Sequence, residues 1–347
     1  MGCTVSPIRS THAASRALAQ RDLLLLSGAD LRRAVSQSTA IDVLRETYAR
    51  LAESRADQGR SLGFSVEGGS IHVKAGLLPG SHAAFAAKVN VNLPGNPERN
   101  GLPTIQGVVL LSDATDGRPL AVIESMTLTA MRTAAAATLA ATYGARKDAA
   151  VIAIIGCGSQ APYQLDSFRA AFPLRQARVF DMDGRRAAAF AAQTTMPDCP
   201  CVAAASVAAA IEGADIVVTC TTSKAPILTE DMRLPGCFIA AMGADNPGKQ
   251  EIAPGLMARA RLLADDIEQC AQGGDLAHAL RAGAVTLDDV RGDLADLASG
   301  KSSGRDRADE LVIFDSTGSG VQDVALAWAA YNSAAARNIG SRFRLGD

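Results

Sequence analysis

The chain has 347 residues, 48% of them hydrophobic, and a formal net charge of −2. That length suits two domains around a large core. No uninterrupted apolar run approaches membrane-span length, and no basic block is present, so neither a membrane nor nucleic acid is an expected partner. The seven cysteines, 3, 157, 199, 201, 220, 237 and 270, are scattered. Only Cys199-Pro-Cys201 is close-set, with no histidine nearby. Neither a metal site nor a disulfide framework is expected, which points to a reducing, cytoplasmic location.

Residues 1–20 read as a loose extension. Met1-Gly2-Cys3-Thr4-Val5-Ser6 fits a myristoylation pattern by letter, but no polybasic segment follows it. Leu23–Leu26 is a short strand. Ser27, with Asp30 three residues on, caps a helix whose apolar spacing runs from Leu31 to Arg55. A polar turn, Asp57-Gln58-Gly59-Arg60, precedes a set of strands. Ile71-His72-Val73-Lys74 alternates, with His72 and Lys74 on one face. Ala83–Val91 is a mainly apolar segment with Lys88 in its middle. Ile105–Ser112 leads through Asp116-Gly117, a hairpin signal, to Leu120–Glu124. This first part is a mainly antiparallel sheet with helical cover. Met126–Tyr143 is an Ala-rich helix carrying one basic residue, Arg132.

A different rhythm then begins. Val151-Ile-Ala-Ile-Ile155 runs into Gly156-Cys-Gly158-Ser159-Gln160-Ala161, and a helix follows over Tyr163–Phe172. A buried parallel strand, a glycine turn and a helix N-terminus form the G-x-G-x-x-A dinucleotide pattern. Gly156 permits the turn, Gly158 lets backbone approach a pyrophosphate, and Ala161 allows helix-on-strand packing. A second strand, Ala177–Phe180, ends in Asp181, where a carboxylate can bind a ribose hydroxyl. Strands at Cys201–Ala204, Ile216–Cys220, Cys237–Met242, Arg261–Ala264 and Leu311–Phe314 alternate with helices. The last helix covers Val321–Ala335. The expected fold is α/β: a Rossmann-type doubly wound parallel sheet plus a mainly antiparallel α+β domain.

In such sheets ligands sit at the carboxyl ends of the strands. Those ends carry Gly156–Ala161, Asp181, Thr219–Thr222, Gly243–Lys249 and Asp315–Gly320. Asp245 is then either a cleft carboxylate or a turn former ahead of Asn-Pro-Gly. His72 and Lys74 fit either a second substrate carboxylate or a solvated strand edge. Cys157 serves as a small turn residue. Cys220 lies near the cleft without a histidine partner in sequence, so thiol nucleophile chemistry is not expected.

Several segments together resemble one family. Lys88-Val-Asn-Val-Asn-Leu-Pro94-Gly-Asn96, Leu128-Thr129-Ala-Met-Arg132-Thr133, Gly156-Cys-Gly-Ser-Gln160-Ala, Gly243-Ala-Asp245-Asn-Pro-Gly-Lys249-Gln-Glu251 and Phe314-Asp-Ser316-Thr-Gly318…Gln322-Asp323 are similar to the ornithine cyclodeaminase/mu-crystallin family. The resemblance spans roughly residues 22 to 337. It implies a nicotinamide cofactor working at an amino-acid α-carbon, and a dimer joined through the first domain. By resemblance, Arg132 grips the substrate carboxylate and Arg60 is a second carboxylate-binding arginine. Lys88 is the active-site lysine, whose burial lowers its pKa toward proton exchange. Asp245 handles the substrate amine or activates water. His72 and Lys74 replace the acidic residue and Met-Pro ending that cyclodeaminases tend to show, which favours a small or acidic substrate over ornithine.

Cofactor contacts are expected from Thr133, Gly156, Gly158, Ser159, Gln160, Ala161, Asp181, Arg186, Thr219, Thr221, Met242, Gly243, Ser316 and Gly318. Asp181 would repel a 2′-phosphate and so favours NAD(H), while Arg185 and Arg186 leave room for NADP(H). The expected domains are 21–130 with 322–347 for substrate and dimerisation, and 131–321 for the dinucleotide. The expected function is NAD(H)-dependent amino-acid dehydrogenation or imino-acid reduction. An ornithine or lysine cyclodeaminase is the alternative, and a non-catalytic, crystallin-like ligand-binding protein is the alternative of another class.

Overall fold

The computed structural model describes residues 22–54, 59–78 and 83–345. The N-terminal extension, the myristoylation pattern, Arg55 and the first half of the polar turn, Asp57-Gln58, lie outside them. The strands are β1 (Asp22–Leu26), β2 (Arg60–Val66), β3 (Gly69–Leu78), β4 (Ala84–Asn92), β5 (Ile105–Asp113) and β6 (Pro119–Glu124), then β7 (Val151–Ile155), β8 (Gln176–Phe180), β9 (Cys201–Ala203), β10 (Ile216–Thr219), β11 (Lys224–Leu228), β12 (Phe238–Ala241), β13 (Gln250–Ile252), β14 (Arg261–Ala264), β15 (Val290–Asp293), β16 (Val312–Asp315) and β17 (Ser341–Arg344).

Two main sheets result. The first runs β17-β1-β6-β5-β4-β3-β2 and is antiparallel except for the β1–β6 pair. The second runs β15-β14-β16-β12-β10-β7-β8-β9 and is parallel throughout. From β7 the chain winds outward through β8 and β9. It then restarts at β10 and winds the other way, so the order reverses between β7 and β10. A crevice opens at such a switch point, beyond the carboxyl ends of the strands. The α/β class and both sheet types match the expectation.

Some boundaries differ. The helix expected over Leu31–Arg55 is two helices, Gly28–Ala34 and Gln37–Ser54. The first has the expected capping box between Ser27 and Asp30, but Val35 is extended and ends it. Ser36 Oγ then accepts from the Thr39 amide and starts the next helix. The boundary at residues 130/131 falls inside one continuous helix, Ser125–Gly144. Alanines and other small residues on all sides let it pack against β5 of the first sheet and against β12 and β16 of the second. It is a shared wall, so a single core continues from one sheet to the other.

The last helix, Gly320–Arg337, returns to the first sheet and packs on β3, β4 and β5. Its start lies against β3 with no room for side chains. A Cβ on Gly320 would sit 2.2 Å from the Ala75 carbonyl oxygen, and one on Gly76 would sit 2.3 Å from the Gly320 carbonyl carbon. This contact fixes where the first turn of that helix, carrying Gln322 and Asp323, meets β3 and β4.

The two faces of the first sheet differ. Alternate residues of β3 and β4 turn His72, Lys74, Lys88, Asn90 and Asn92 to the inside. The other face exposes Leu62, Phe64 and Val66 on β2, Val89 on β4, and Val108 and Leu110 on β5. A contiguous apolar face of this kind marks an interaction surface.

The close approach of β3 and the last helix generates a prediction. Gly320→Ala should destabilise the protein by about 1–3 kcal/mol, the cost of overpacking a rigid contact. Urea unfolding at fixed protein concentration reads this as a lower midpoint at unchanged slope, and an unchanged midpoint would contradict the packing described.

Candidate active site

The glycine turn forms the floor. β7 is buried on both faces and delivers Gly156 at φ +98°, a conformation that side chains disfavour. A Cβ at Gly156 would also meet the Cys220 carbonyl oxygen at 2.9 Å, whereas one at Gly158 would point into open space. The helix Ala161–Ala171 starts directly behind, with Ala161 fully buried against the strand. An open approach to Gly158 and the positive end of a helix suit a pyrophosphate.

Asp181 closes the turn. Its carboxylate accepts from the amides of Cys157 and Asp183, each at 2.9 Å, and Arg186 Nη1 lies 3.5 Å away. The next part of the floor is knit by Glu251. This fully buried carboxylate accepts from Thr219 Oγ1, Thr221 N, Thr221 Oγ1 and Gly243 N, all at 2.7 Å. It ties the ends of β10 and β12 together. Burial pushes its pKa up, against those hydrogen bonds.

The chemical wall faces this floor across a cleft of about 280 Å³. Its centre is Asp323, in the first turn of the last helix and 2% exposed. Lys88 Nζ lies 3.0 Å from Oδ1 and 2.8 Å from Oδ2 of Asp323, and it donates to Thr129 Oγ1 at 3.2 Å. Arg132 donates through Nε to Asp323 Oδ1 at 3.1 Å and through Nη1 to Gln322 Oε1 at 3.0 Å. Gln322 donates in turn to Tyr48 at 2.8 Å and to Asp265 at 3.1 Å. Asp265 also holds the loop after β16, accepting from Ser316 Oγ, Thr317 N and Gly318 N. Gly318, at φ +76°, presses against the Arg132 guanidinium, where a Cβ would clash at 2.3 Å.

The charges interact strongly. Burial pushes the Lys88 pKa down to about 8; Asp323 opposes this, while Arg132 and Lys74 add to it. Lys74 is also lowered, by burial first and by Arg132 next. Burial alone would raise Asp323, but Lys88 and Arg132 outweigh it and hold the carboxyl below its ordinary range. The same balance lowers Asp245, where Lys249 and Lys74 overcome desolvation by the cleft walls. Asp245 stands at the cleft with its side chain 51% exposed. Its Oδ1 accepts from Lys249 at 2.8 Å and from Asn246 Nδ2 at 2.9 Å.

Most of the residues expected from sequence meet here. His72, Lys74, Lys88, Arg132, Thr133, Gly158, Ser159, Gln160, Thr221, Met242, Gly243, Asp245, Ser316 and Gly318 all line the cleft. Thr219 is buried below it, on Glu251. Arg60 is not brought in. It opens β2 paired with Ala75, one residue out of step with the Lys74–Lys88 pair, so the pleat turns it to the other face of the sheet. Lys74 takes the position of the second cation, but it donates to the carbonyls of Thr317 and Gly318, both at 2.8 Å. Among the described residues no group of acids, histidines or cysteines could hold a metal.

Sequence reasoning did not single out Asp323, Thr129 or Glu251 as site residues, although all three stand within the segments that suggested the family. A larger hollow of about 360 Å³ opens at the amino ends of β14 and β16, near Arg259 and Glu310. It contains none of the glycine-turn residues, which line the smaller cleft instead.

The comparisons agree with this geometry. The profile of the ornithine cyclodeaminase/mu-crystallin family matches residues 24–338. An alanine dehydrogenase of Archaeoglobus fulgidus is 32% identical over 324 residues, covering 93% of this chain and 98% of the relative. An iminosuccinate reductase of Paracoccus denitrificans is 31% identical, covering 91% and 98%. A solved archaeal alanine dehydrogenase dimer with bound NAD superposes with a TM-score of 0.87 at 31% identity, covering 94% of this chain and 100% of that one. The chain belongs to the ornithine cyclodeaminase/mu-crystallin family.

Proposed function

We propose that this chain is an NAD(H)-dependent oxidoreductase acting at the α-carbon of a small or acidic amino or imino acid. It is an imino-acid reductase, such as an iminosuccinate reductase, or an amino-acid dehydrogenase of the alanine dehydrogenase type. The observation that carries this reading is the buried Lys88–Asp323–Arg132 cluster, facing a dinucleotide-type glycine turn across one cleft. The named relatives support the same chemistry.

The nicotinamide, when bound, supplies or receives the hydride. The remaining work falls to the protein. Arg132, held through Nε and Nη1, lines the cleft and suits a carboxylate, which orients the α-carbon. Lys88, with its pKa near 8, gives a proton to the imine nitrogen or takes one from the amine. Asp245 stays ionised and offers Oδ2 to the substrate nitrogen or to an attacking water. Asp181 supports NAD(H) over NADP(H), with Arg186 leaving some tolerance for the latter. The cyclodeaminase alternative draws on Asp245 and on the ornithine cyclodeaminases that are also among the relatives. Lys74 adds a further cation to the cleft, in which Asp245 is the only acid among the described lining residues, and this disfavours a substrate with a distal ammonium. A purely binding role leaves the Lys88–Asp323 cluster without a purpose. The exposed apolar face of the first sheet supports a homodimer. The scattered, unpaired-looking cysteines of the sequence support a cytoplasmic location.

Five outcomes test this reading. Added imino acid should consume NADH. Lys88→Ala should cut kcat by at least about 100-fold while NADH binding, read by fluorescence, survives; turnover persisting in that variant contradicts the role of Lys88. The pH dependence follows from Lys88 as proton donor. Reductive kcat/KM should fall as pH rises through about 8, and oxidative kcat/KM should climb over the same range. Asp323→Asn removes the group that holds the Lys88 pKa up. It should move both limbs to lower pH and destabilise the fold by about 3 kcal/mol, since it strips a buried pair of one partner. Limbs that stay in place would contradict this coupling. Finally, Phe64→Glu on the outer sheet face should yield monomers in light scattering, and a dimer that persists would exclude that face.

A further inference from the structure

The cleft has a second polar end that the hydride chemistry does not use. β3 and β4 pair Lys74 with Lys88, His72 with Asn90, and Ser70 with Asn92. Directly paired residues of antiparallel strands project to the same face, so these pairs form successive rungs on the cleft side. Adjacent rungs are about 7 Å apart, two residues of strand rise.

The first rung is committed. Lys88 holds Asp323, and Lys74 holds the Thr317 and Gly318 carbonyls. The next two are not. The side-chain oxygens of Asn90 and Asn92 are shut away from water with no hydrogen-bond partner. His72 Nε2 meets Ser70 Oγ at 2.8 Å, and its ring lines the cavity beside both asparagines. A half-turn of either amide presents Nδ2 instead of Oδ1, so each can donate or accept. The surrounding charge selects the ligand. Asp245 is the only acid lining the cleft among the described residues, against Lys74, Lys88, Arg132 and Lys249.

We infer that His72, Asn90 and Asn92 form a distal subsite for the second carboxylate of a four- or five-carbon dicarboxylic amino or imino acid. His72 and Asn90 stand one rung, and Asn92 two rungs, from the Lys74–Lys88 pair, and Arg132 lines the same cleft, so a short chain with a carboxylate at each end can engage Arg132 with one and this polar end with the other. This inference rests on the functional reading above and narrows its substrate class. It also moves specificity away from Lys74, whose ammonium is occupied by the loop after β16.

The test is equilibrium binding of succinate and propionate to the full-length, NADH-loaded protein by calorimetry. The wild type should bind succinate at least about tenfold tighter than propionate, the gain of one charge-assisted contact set. Asn90→Ala, Asn92→Ala and His72→Gln should each shrink that ratio while leaving propionate binding within about twofold. Asn90→Asp keeps the shape and adds a repelling charge. It should reject succinate more than propionate and serves if an alanine variant does not fold. A wild-type ratio near one overturns the subsite, and so does an equal loss for both ligands in the variants. Turnover of amino and imino acids by the wild type is measured separately. Succinate discrimination without any turnover sinks the enzyme reading and spares the subsite, whereas turnover without discrimination sinks the subsite alone.

Discussion

A single buried carboxylate organises the active site. Asp323 is almost without solvent and satisfies two cations that come from different elements, Lys88 from β4 and Arg132 from the long helix shared by both sheets. Burying any one of these charges alone is costly; together they form a cluster whose members compensate one another. Its net charge is still positive, an excess that suits the carboxylate-binding role proposed for the cleft. Burial, opposed by Asp323, leaves Lys88 with a pKa of about 8.

The rest of the fold brings this cluster to the glycine turn. Asp323 lies in the first turn of a helix that leaves the parallel sheet and crosses to the antiparallel one. Glycine-to-backbone contact between Gly320 and β3 sets the height of that turn. Asp265 and Gln322 then link the loop after β16 to Arg132, and Glu251 locks the ends of β10 and β12. Buried acids thus hold the cofactor floor and the substrate wall in register through backbone amides. Satisfied networks of this kind rigidify a site at the price of tolerating few substitutions.

Much of this was legible in the sequence. A run of β-branched residues ending in Gly156-Cys-Gly158 marks a strand, turn and helix by local rules alone, and Lys88 stands out because its apolar strand gives it nowhere to put a charge. Asp323 gives no such signal. Its partner Lys88 is 235 residues away, and an acid near the start of a helix reads equally well as a favourable dipole contact at the surface. Glu251 is invisible for a similar reason, because its role depends on two strand ends meeting. Arg60 shows the converse. The family resemblance and its place after the long helix suggested a carboxylate ligand, but Arg60 is in phase with Leu62, Phe64 and Val66, and which face of the sheet that stripe covers is decided by the pairing of β2 with β3, not by β2 alone. The break at Val35 and the continuity of Ser125–Gly144 across the expected domain boundary likewise follow from packing, which local patterning does not encode.

The most direct measurement is a crystal structure of the protein with NAD and an amino acid bound together. The account predicts the substrate carboxylate on Arg132 and the amino nitrogen within hydrogen-bond reach, about 3 Å, of Lys88 Nζ, with the α-carbon facing the cofactor bound over the glycine turn. An amino acid seated with its nitrogen away from Lys88, or with its carboxylate on a group other than Arg132, would contradict it.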